Sequence, residues 1–282
     1  MIQSPSLPAS FPQAGESSRA LNGLGVLVTR PALQADPLCQ LIEHYGGTAI
    51  RCPALLIREP RDWAPALAIF DRLADYHLAI FTSVNAVERA SPLIQKRGGI
   101  PPALEIAAIG KATARALAGS GIGRCLQPES DFTSEGLLAL PRLQSVAGQA
   151  IVIVRGEGGR ALLADTLTER GARVDRAEVY RRERPTADVG ALLGRWARGE
   201  IGAAVATSTE SLLNLFDMLG GAGQDYLRDT PLIVISARTR QTAAEYGCRR
   251  ILVAREASDD AIAAVLLGLT ANLSPVQFGN AT

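Results

Sequence analysis

Residues 151–161 read IVIVRGEGGRA, an apolar run that passes directly into a glycine-rich turn. Such a run predicts a buried β-strand, and the residues after the turn have the pattern of a helix. The spacing Gly156-x-Gly158-x-x-Ala161 also fits a dinucleotide-binding loop, and Asp175 stands close to where an acid that binds ribose is expected. One hypothesis is therefore a dinucleotide-dependent oxidoreductase.

The rest of the chain repeats this pattern. Residues 25–59 show the same order of strand, arginine-bearing turn, amphipathic helix, glycine and second strand as residues 151–183. The similarity continues at a nearly constant offset in two further pairs of segments, 80–90 with 205–215 and 107–121 with 233–247. Self-similarity at a fixed period indicates that the chain consists of two copies of one α/β unit.

Each copy alternates short apolar runs with helical patterns, which is typical of a parallel sheet covered by helices. In such sheets, ligands bind outside the carboxyl ends of the strands. Polar, basic or small residues that follow the predicted strands are therefore candidate substrate-binding residues. They are Arg30, Thr82, Ser83, Asn85, Gly110, Lys111, Thr113, Arg155, Thr207, Ser208, Thr209, Ser236, Arg238 and Thr239.

Two compatible explanations exist for these strand-end residues. Ser and Thr are preferred at helix starts, where they cap free N–H groups, and Thr207-x-x-Glu210 has the spacing of a capping box. Helix N-termini that converge on one edge also bind anions, because their remaining N–H groups point at the ligand. Capping is the simpler explanation for any single residue, and anion binding is the functional hypothesis for the set.

The repeat weakens the dinucleotide hypothesis. In the first copy the equivalent of the glycine-rich turn is Arg30-Pro31-Ala32-Leu33-Gln34-Ala35, which contains no glycine. The two copies share an arginine at the strand end, and Arg155 separates its strand from Gly156. A dinucleotide loop instead joins strand and glycine in a tight turn. A duplicated anion-binding cleft is therefore the favoured hypothesis.

Composition narrows the classes of partner and location. The chain has 29 basic and 28 acidic residues, so neither nucleic acid nor a membrane surface is a favoured partner. Cys39, Cys52, Cys125 and Cys248 are scattered singly, which argues against a metal site or disulfide framework and favours a reducing compartment. No apolar run approaches the ~20 residues of a membrane span. We expect a cytoplasmic protein and, by default, a monomer.

Four segments, in chain order, point to a known family. They are Val28-Thr29-Arg30-Pro31, Phe81-Thr82-Ser83-Val84-Asn85-Ala86-Val87, Ala108-Ile109-Gly110-Lys111-Ala112-Thr113-Ala114 and Glu178-Val179-Tyr180. Together with the tandem layout they resemble the uroporphyrinogen-III synthase family, over nearly everything except the two tails. The ordered set carries the resemblance rather than any single motif. Ser236 stands where family members often have glycine, which alters how closely a ligand can approach the backbone there.

The resemblance implies two similar lobes, each a parallel sheet flanked by helices, joined by a two-strand linker. The N-terminal residues are rich in Ser and Pro and lack the features of a secretory signal, so we expect them to be disordered. The predicted parts are an extension (1–19), a first lobe (20–50 with 184–270), a second lobe (58–174), linker strands (51–57 and 175–183) and a tail (271–282).

The resemblance also implies the chemistry: cyclisation of hydroxymethylbilane, a linear tetrapyrrole, to uroporphyrinogen III, with inversion of the last pyrrole ring and loss of water. It implies no metal or organic cofactor, and a substrate held in a cleft between the lobes. Tyr180, on the second linker strand, is the candidate general acid, and the alternative is a packing residue with a hydrogen-bonded tip. A non-catalytic two-lobed protein that binds a small anion is a further alternative.

Overall fold

The computed structural model describes residues 20–186 and 188–271, which divide into two compact units. The first unit combines the segment that ends at Leu56 with the segment that starts at Arg184, and the second unit is Ile57–Glu183. The chain therefore passes twice from one unit to the other. The expected N-terminal extension and nearly all of the expected tail lie outside the described residues.

Strands and helices alternate along most of the described residues. The strands are β1 (Gly25–Val28), β2 (Thr48–Arg51), β3 (Leu56–Arg58), β4 (Leu78–Phe81), β5 (Glu105–Ala108), β6 (Ala150–Gly156), β7 (Arg173–Glu183), β8 (Ala203–Ala206), β9 (Leu232–Val234) and β10 (Ile251–Val253). The helices are α1 (Ala32–His44), α2 (Ala64–Phe70), α3 (Val84–Gln95), α4 (Lys111–Gly119), α5 (Ser134–Leu138), α6 (Pro141–Gln144), α7 (Leu162–Glu169), α8 (Gly190–Ala197), α9 (Thr209–Asp229), α10 (Ala237–Glu245) and α11 (Asp259–Ala271). None of the helices described has both the length and the apolar character needed to cross a bilayer.

Each unit is built on one five-stranded sheet. The strand order is β10-β9-β8-β1-β2 in the first unit and β3-β7-β6-β4-β5 in the second. All neighbouring strands of the first sheet are parallel, and so are the pairs among β4, β5, β6 and β7. The predicted class, an α/β fold with parallel sheets flanked by helices, is confirmed.

Continuous apolar runs form the central strands because both faces of each sheet are covered. In β6, Val152 and Val154 belong to the cluster of buried side chains that includes those of α3. Ile151 and Ile153 belong to the opposite cluster, with side chains of α5 and α7. Successive side chains of a strand point to opposite faces, so a strand buried on both faces has no polar alternation.

The two sheets place sequence-related strands in the same spatial order. Strands β9, β8, β1 and β2 of the first sheet follow one another as β5, β4, β6 and β7 do in the second. Their positions along the chain differ, because β1 and β2 precede the whole second unit. The first unit is therefore discontinuous in sequence.

The chain passes from the first unit to the second between Leu56 and Ile57 and returns between Glu183 and Arg184, next to the C-terminal ends of the expected linker strands, 51–57 and 175–183. The backbone N–H of Ala54 donates to the carbonyl oxygen of Thr29 over 3.0 Å, which ties this stretch to the first sheet. Residues 175–183 lie within β7, and their pairing with β6 continues to Tyr180. Backbone hydrogen bonding thus assigns most of both segments to the sheets.

Among the side chains that the structure describes, the hydroxyl of Ser91 is buried without a hydrogen-bond partner. Ser91 lies inside α3, where alanine is the better helix former. We expect Ser91→Ala to raise the free energy of unfolding by about 1 kcal/mol, because an unsatisfied buried hydroxyl is removed. Urea denaturation measures this. Ser120→Ala, which removes a hydroxyl bonded to the carbonyl of Ala116, is the control and should not stabilise.

A buried phenol makes stability sensitive to alkaline pH. Tyr76 is 3% exposed and donates to Asp175 over 2.6 Å, and burial followed by this hydrogen bond raises its pKa to about 12. The neutral phenol therefore stabilises the fold fully below its ordinary pKa of about 10, and this contribution is lost as pH rises toward 12. From pH 9 to 11 the unfolding free energy should fall about 1 kcal/mol more than in Tyr76→Phe. Equal pH slopes in urea denaturation would contradict this.

Candidate functional site

Three of the predicted substrate-binding residues, Thr82, Ser83 and Asn85, lie at the carboxyl edge of the second sheet. Thr82 follows β4 and donates its hydroxyl to the carbonyl oxygen of Val154 over 3.3 Å. Ser83 caps α3, accepting the N–H of Ala86 at Oγ over 3.1 Å. Asn85 is partly buried in the first turn of the same helix. The capping explanation therefore holds for Ser83, and the other N–H groups at this helix start remain as donors.

Tyr180 lies beside this helix start and is completely buried. Its Oη is 3.1 Å from Oγ of Ser83 and accepts a 2.9 Å hydrogen bond from Nη2 of Arg182. The guanidinium carbon of Arg182 also lies 5.3 Å from the centroid of the phenol ring. These are the features of a packing residue with a hydrogen-bonded tip. They bring together Tyr180 and Ser83, which were both predicted from sequence.

Sequence analysis did not identify Arg182. The sequence does contain a pattern that indicates it. Residues two apart on a strand point to the same face, and Arg182 follows Tyr180 by two positions in β7. The guanidinium group of an arginine has N–H donors and no acceptor, so a neighbouring oxygen must be the acceptor in any hydrogen bond with it. Arg182 therefore belongs with Tyr180 and Ser83 in one hydrogen-bonded chain.

The start of α4 combines an open backbone with a cation. Gly110 precedes the helix in extended conformation, with no side chain to cap it. Nζ of Lys111 lies 5.0 Å from the ring centroid of Phe132, which is a cation–π distance. Thr113 is buried in the first turn. Of the three predicted residues here, Gly110 and Lys111 are accessible to a ligand and Thr113 supports the turn.

In the first unit, hydroxyl groups link the starts of α9 and α10. Ser208 caps α9, accepting the N–H of Ser211 over 3.0 Å, and Ser236 caps α10, accepting the N–H of Thr239 over 3.1 Å. The hydroxyl oxygens of Thr209 and Thr239 are 3.1 Å apart. Ser236, which stands where glycine was expected from the family resemblance, thus has a capping role.

The predicted capping box at Thr207-x-x-Glu210 is wrong by one residue. Ser208 has the extended backbone of the cap, and its Oγ also lies 2.9 Å from the hydroxyl of Ser211. The cap lies one residue later because α9 begins at Thr209. Two hydroxyls therefore take the places of the Thr and Glu that the box requires.

The other cations of the first unit differ in their surroundings. Arg30, at the end of β1, forms an ion pair with Asp259 at the start of α11. Arg238 is exposed in the first turn of α10. The charge of Arg30 is therefore already compensated by a carboxylate, whereas Arg238 lies open to solvent.

The glycine-rich turn of the second unit is closed by Arg155. Its Nε donates to the carbonyl oxygen of Gly156 over 3.1 Å, its Nη1 donates to that of Arg160 over 3.2 Å, and its Nη2 donates to that of Gly158. The carbonyl oxygens of the turn thus face a cation. A phosphate cradle instead presents backbone N–H donors to an anion.

The two residues that suggested a dinucleotide site have other roles. Gly156 lies within β6, and a Cβ atom there would be 2.6 Å from Cζ of Tyr180, so packing requires the glycine. Asp175 pairs with Val152, roughly 13 Å before the level of Gly156 along the strand, and accepts the hydroxyl of Tyr76. These positions give the oxidoreductase hypothesis no support.

All four cysteines of the chain lie in the described part and are free. Burial raises the pKa of each thiol above its ordinary value, that of Cys248 to about 11. Nucleophiles and metal ligands need the thiolate form. These thiols are therefore protonated at neutral pH and poorly suited to act as nucleophiles.

The second unit also contains a cavity of about 300 Å³ that sequence analysis missed. Its lining residues are Arg61, Asp62, Pro65, Glu157, Arg176 and Glu178. The backbone N–H of Glu157 donates to the carbonyl oxygen of Tyr180 over 2.7 Å, which places one wall of the cavity next to the backbone of Tyr180. Charged residues in a turn and along a strand resemble a solvated surface in sequence, so no pattern marked them.

Comparison with known proteins places this geometry in a family. The family model described as Uroporphyrinogen-III synthase HemD matches residues 36–264. A uroporphyrinogen-III synthase of Escherichia coli K12 is 36% identical over 244 residues, which are 85% of this chain and 98% of that protein. Its Salmonella typhimurium counterpart is 35% identical over 244 residues, with the same shares of the two chains.

Solved structures show the same fold. A variant of uroporphyrinogen III synthase from Thermus thermophilus gives a TM-score of 0.62 at 18% identity, covering 88% of this chain and 99% of that one. The Helicobacter pylori enzyme gives 0.55 at 15% identity, with 87% and 99% covered. Family model and relatives extend over most of the sequence, and on that evidence the chain belongs to the uroporphyrinogen-III synthase family.

Proposed function

We propose that this protein converts hydroxymethylbilane to uroporphyrinogen III, inverting the last pyrrole ring and releasing water. The observation that carries the proposal is the match with a uroporphyrinogen-III synthase along 98% of that relative's length. The free substrate closes by itself to the uninverted isomer, so the task of the enzyme is geometric. Holding reacting groups in position can supply ~7–11 kcal/mol of barrier lowering.

The carboxylates of the substrate bind, in this proposal, at the carboxyl edge of each sheet. Helices α3, α4, α9 and α10 all start there, and a side-chain cap takes only one of the free N–H groups of a helix start. Backbone donors add no net charge, which explains how a chain of net charge +1 can bind a polyanion. The residues proposed for these edges are Thr82, Ser83, Asn85, Gly110, Lys111, Thr113, Thr207, Ser208, Thr209, Ser236, Arg238 and Thr239, with Arg30 and Arg155 after exchange of partners.

Departure of the hydroxyl group of the substrate calls for a proton. Tyr180 is the acid predicted from sequence, and a positioned acid contributes ~10²–10⁴-fold. An acid must lie within hydrogen-bond reach of the oxygen that it protonates, and the phenol of Tyr180 is completely buried. This burial favours the alternative role for Tyr180, that of holding neighbouring groups in place.

Product analysis tests the proposed function. The protein is incubated with enzymatically generated hydroxymethylbilane, and the products are oxidised and separated by isomer. Type III product is expected, and type I alone would refute the cyclase. Binding of porphyrinogens without turnover would support a non-catalytic binder instead. Titration with nicotinamide and flavin cofactors, followed by calorimetry, should show no saturable binding.

We also propose that the chain is an internally duplicated monomer that acts in a reducing compartment, the cytoplasm. Equal spatial order of sequence-related strands supports the duplication, and the free thiols support the compartment. Among the described residues the exposed large apolar side chains are few and lie apart in sequence, at Phe132, Tyr226, Tyr246 and Val253. Sedimentation velocity should give the mass of one chain, 29.7 kDa, and a dimer would refute the monomer.

A further inference from the structure

We propose that Arg182 is a positioning residue that acts through Tyr180 and turns the hydroxyl of Ser83 toward the substrate as a hydrogen-bond donor. The inference rests on the proposed function and deepens it, because the acceptor is a carboxylate of hydroxymethylbilane. It gives Tyr180 a place in a directed chain of hydrogen bonds instead of the role of an acid.

The direction of the chain is set at Arg182. A guanidinium has N–H donors and no acceptor, so the 2.9 Å contact between its Nη2 and Oη of Tyr180 has a single possible polarity. The phenol oxygen is the acceptor in this bond. The position of the guanidinium over the phenol ring, 5.3 Å from the centroid, holds the two side chains together.

The next bond follows from burial. Tyr180 is 0% exposed, so its own O–H must find an acceptor within the protein. Oγ of Ser83, 3.1 Å away, is an acceptor within reach. If Ser83 donated to Tyr180 instead, the phenol hydrogen would be left unsatisfied in the interior, which is costly. The heavy-atom network thus assigns the order Arg182 to Tyr180 to Ser83.

The hydroxyl of Ser83 can then form one further hydrogen bond, in which it is the donor. Its Oγ accepts the phenol O–H and also the backbone N–H of Ala86, over 3.1 Å, and a serine oxygen has two lone pairs. Its own hydrogen therefore points away from both partners. Ser83 is only partly buried, so this hydrogen can reach a ligand. A carboxylate, which only accepts hydrogen bonds, is the group that such a fixed donor suits.

A rescue experiment distinguishes this arrangement from ordinary packing. In Arg182→Met, the phenol oxygen loses its donor, so it can accept from Ser83 as well as donate to it, and the hydroxyl of Ser83 points at the substrate for only part of the time. KM for hydroxymethylbilane should rise about three- to tenfold, the usual effect of one lost hydrogen bond. Adding Tyr180→Phe removes the competing acceptor. KM of the double variant should therefore fall back toward that of Tyr180→Phe alone.

Two single variants are the controls. Arg182→Lys keeps a group that only donates and should bind substrate more tightly than Arg182→Met. Tyr180→Phe alone separates the two roles of this residue, because loss of an acid lowers kcat ~10²–10⁴-fold and alters the pH profile, whereas loss of a positioning group acts mainly on KM. Circular dichroism melts show whether each variant folds, and if Arg182→Met does not, the Tyr180→Phe result alone decides.

Three results would overturn the inference: a double variant that binds as weakly as Arg182→Met, an Arg182→Met variant with unchanged KM, or a hundredfold loss of kcat in Tyr180→Phe. The first would mean that the charge of Arg182 acts directly on the substrate. These failures differ from failure of the proposed function. In that case the wild-type protein itself would make no type III product.

Discussion

Replacing Gly156 with alanine is expected to lower the free energy of unfolding by about 2–3 kcal/mol, the typical cost of overpacking a dense core. The new Cβ would lie 2.6 Å from Cζ and 2.7 Å from Cε2 of Tyr180, closer than non-bonded atoms approach. The phenol ring cannot yield easily, because its tip is held by Ser83 and Arg182. The ring or β6 must move instead.

The same substitution should lower kcat/KM about tenfold or more, since small misplacements at a site that works by positioning cost up to 10²-fold. Urea denaturation and the rate of type III formation are the measurements. Gly123→Ala is the matched control, because a Cβ there meets nothing within 4 Å. In the Gly156→Ala background, the smaller side chain of Tyr180→Leu should restore part of the lost stability. If Gly156→Ala melts like wild type, the packing described for Tyr180 is wrong.

A second glycine should be still less tolerant of a side chain. At Gly25, the first residue of β1, an added Cβ would lie 1.7 Å from the carbonyl oxygen of Glu200. The obstacle is backbone, and it cannot rotate away as a side-chain tip can. The strand is also fixed there by the hydrogen bond from the N–H of Gly202 to the carbonyl oxygen of Gly25, 2.9 Å long.

We expect Gly25→Ala to cost at least about 3 kcal/mol, a large part of the stability of an ordinary domain. The loss of folded protein should appear as a lower yield and a lower midpoint of urea denaturation. Gly23→Ala is a useful comparison two residues away. A Cβ at Gly23 would meet no atom within 4 Å, but the residue has a positive φ of 76°. The smaller loss of unfolding free energy in Gly23→Ala should therefore reflect backbone strain alone. Equal costs in the two variants would contradict the steric account.

The class of fold could be predicted from the sequence because its signals are local. The run at Ile151–Val154 is buried on both faces of a parallel sheet, and continuous apolar residues have that meaning. Helix starts were also predictable at Ser83, Ser208 and Ser236, because short hydroxyl side chains satisfy free N–H groups. The displaced cap at Thr207 shows the limit of such signals, since neighbouring hydroxyls compete for one role.

The candidate site could be predicted only in part, because its contacts join distant segments. Nothing local to Tyr180 indicates that Ser83, nearly a hundred residues earlier in the chain, lies against its hydroxyl. The pairing of Arg30 with Asp259 likewise depends on β1 and α11 meeting in the fold. Tyr180, the candidate proton donor, is thus buried, and Arg30, a candidate for substrate binding, forms an ion pair within the protein.

The proportion of type III product as a function of enzyme concentration tests the central claim most directly. Spontaneous closure of hydroxymethylbilane to the type I isomer does not depend on the protein, so its rate is the reference against which the rate of type III formation is measured. If this chain holds the substrate for inversion of the last ring, the type III fraction should rise with added protein and approach one. A fraction that stays at the value measured without protein would contradict the account.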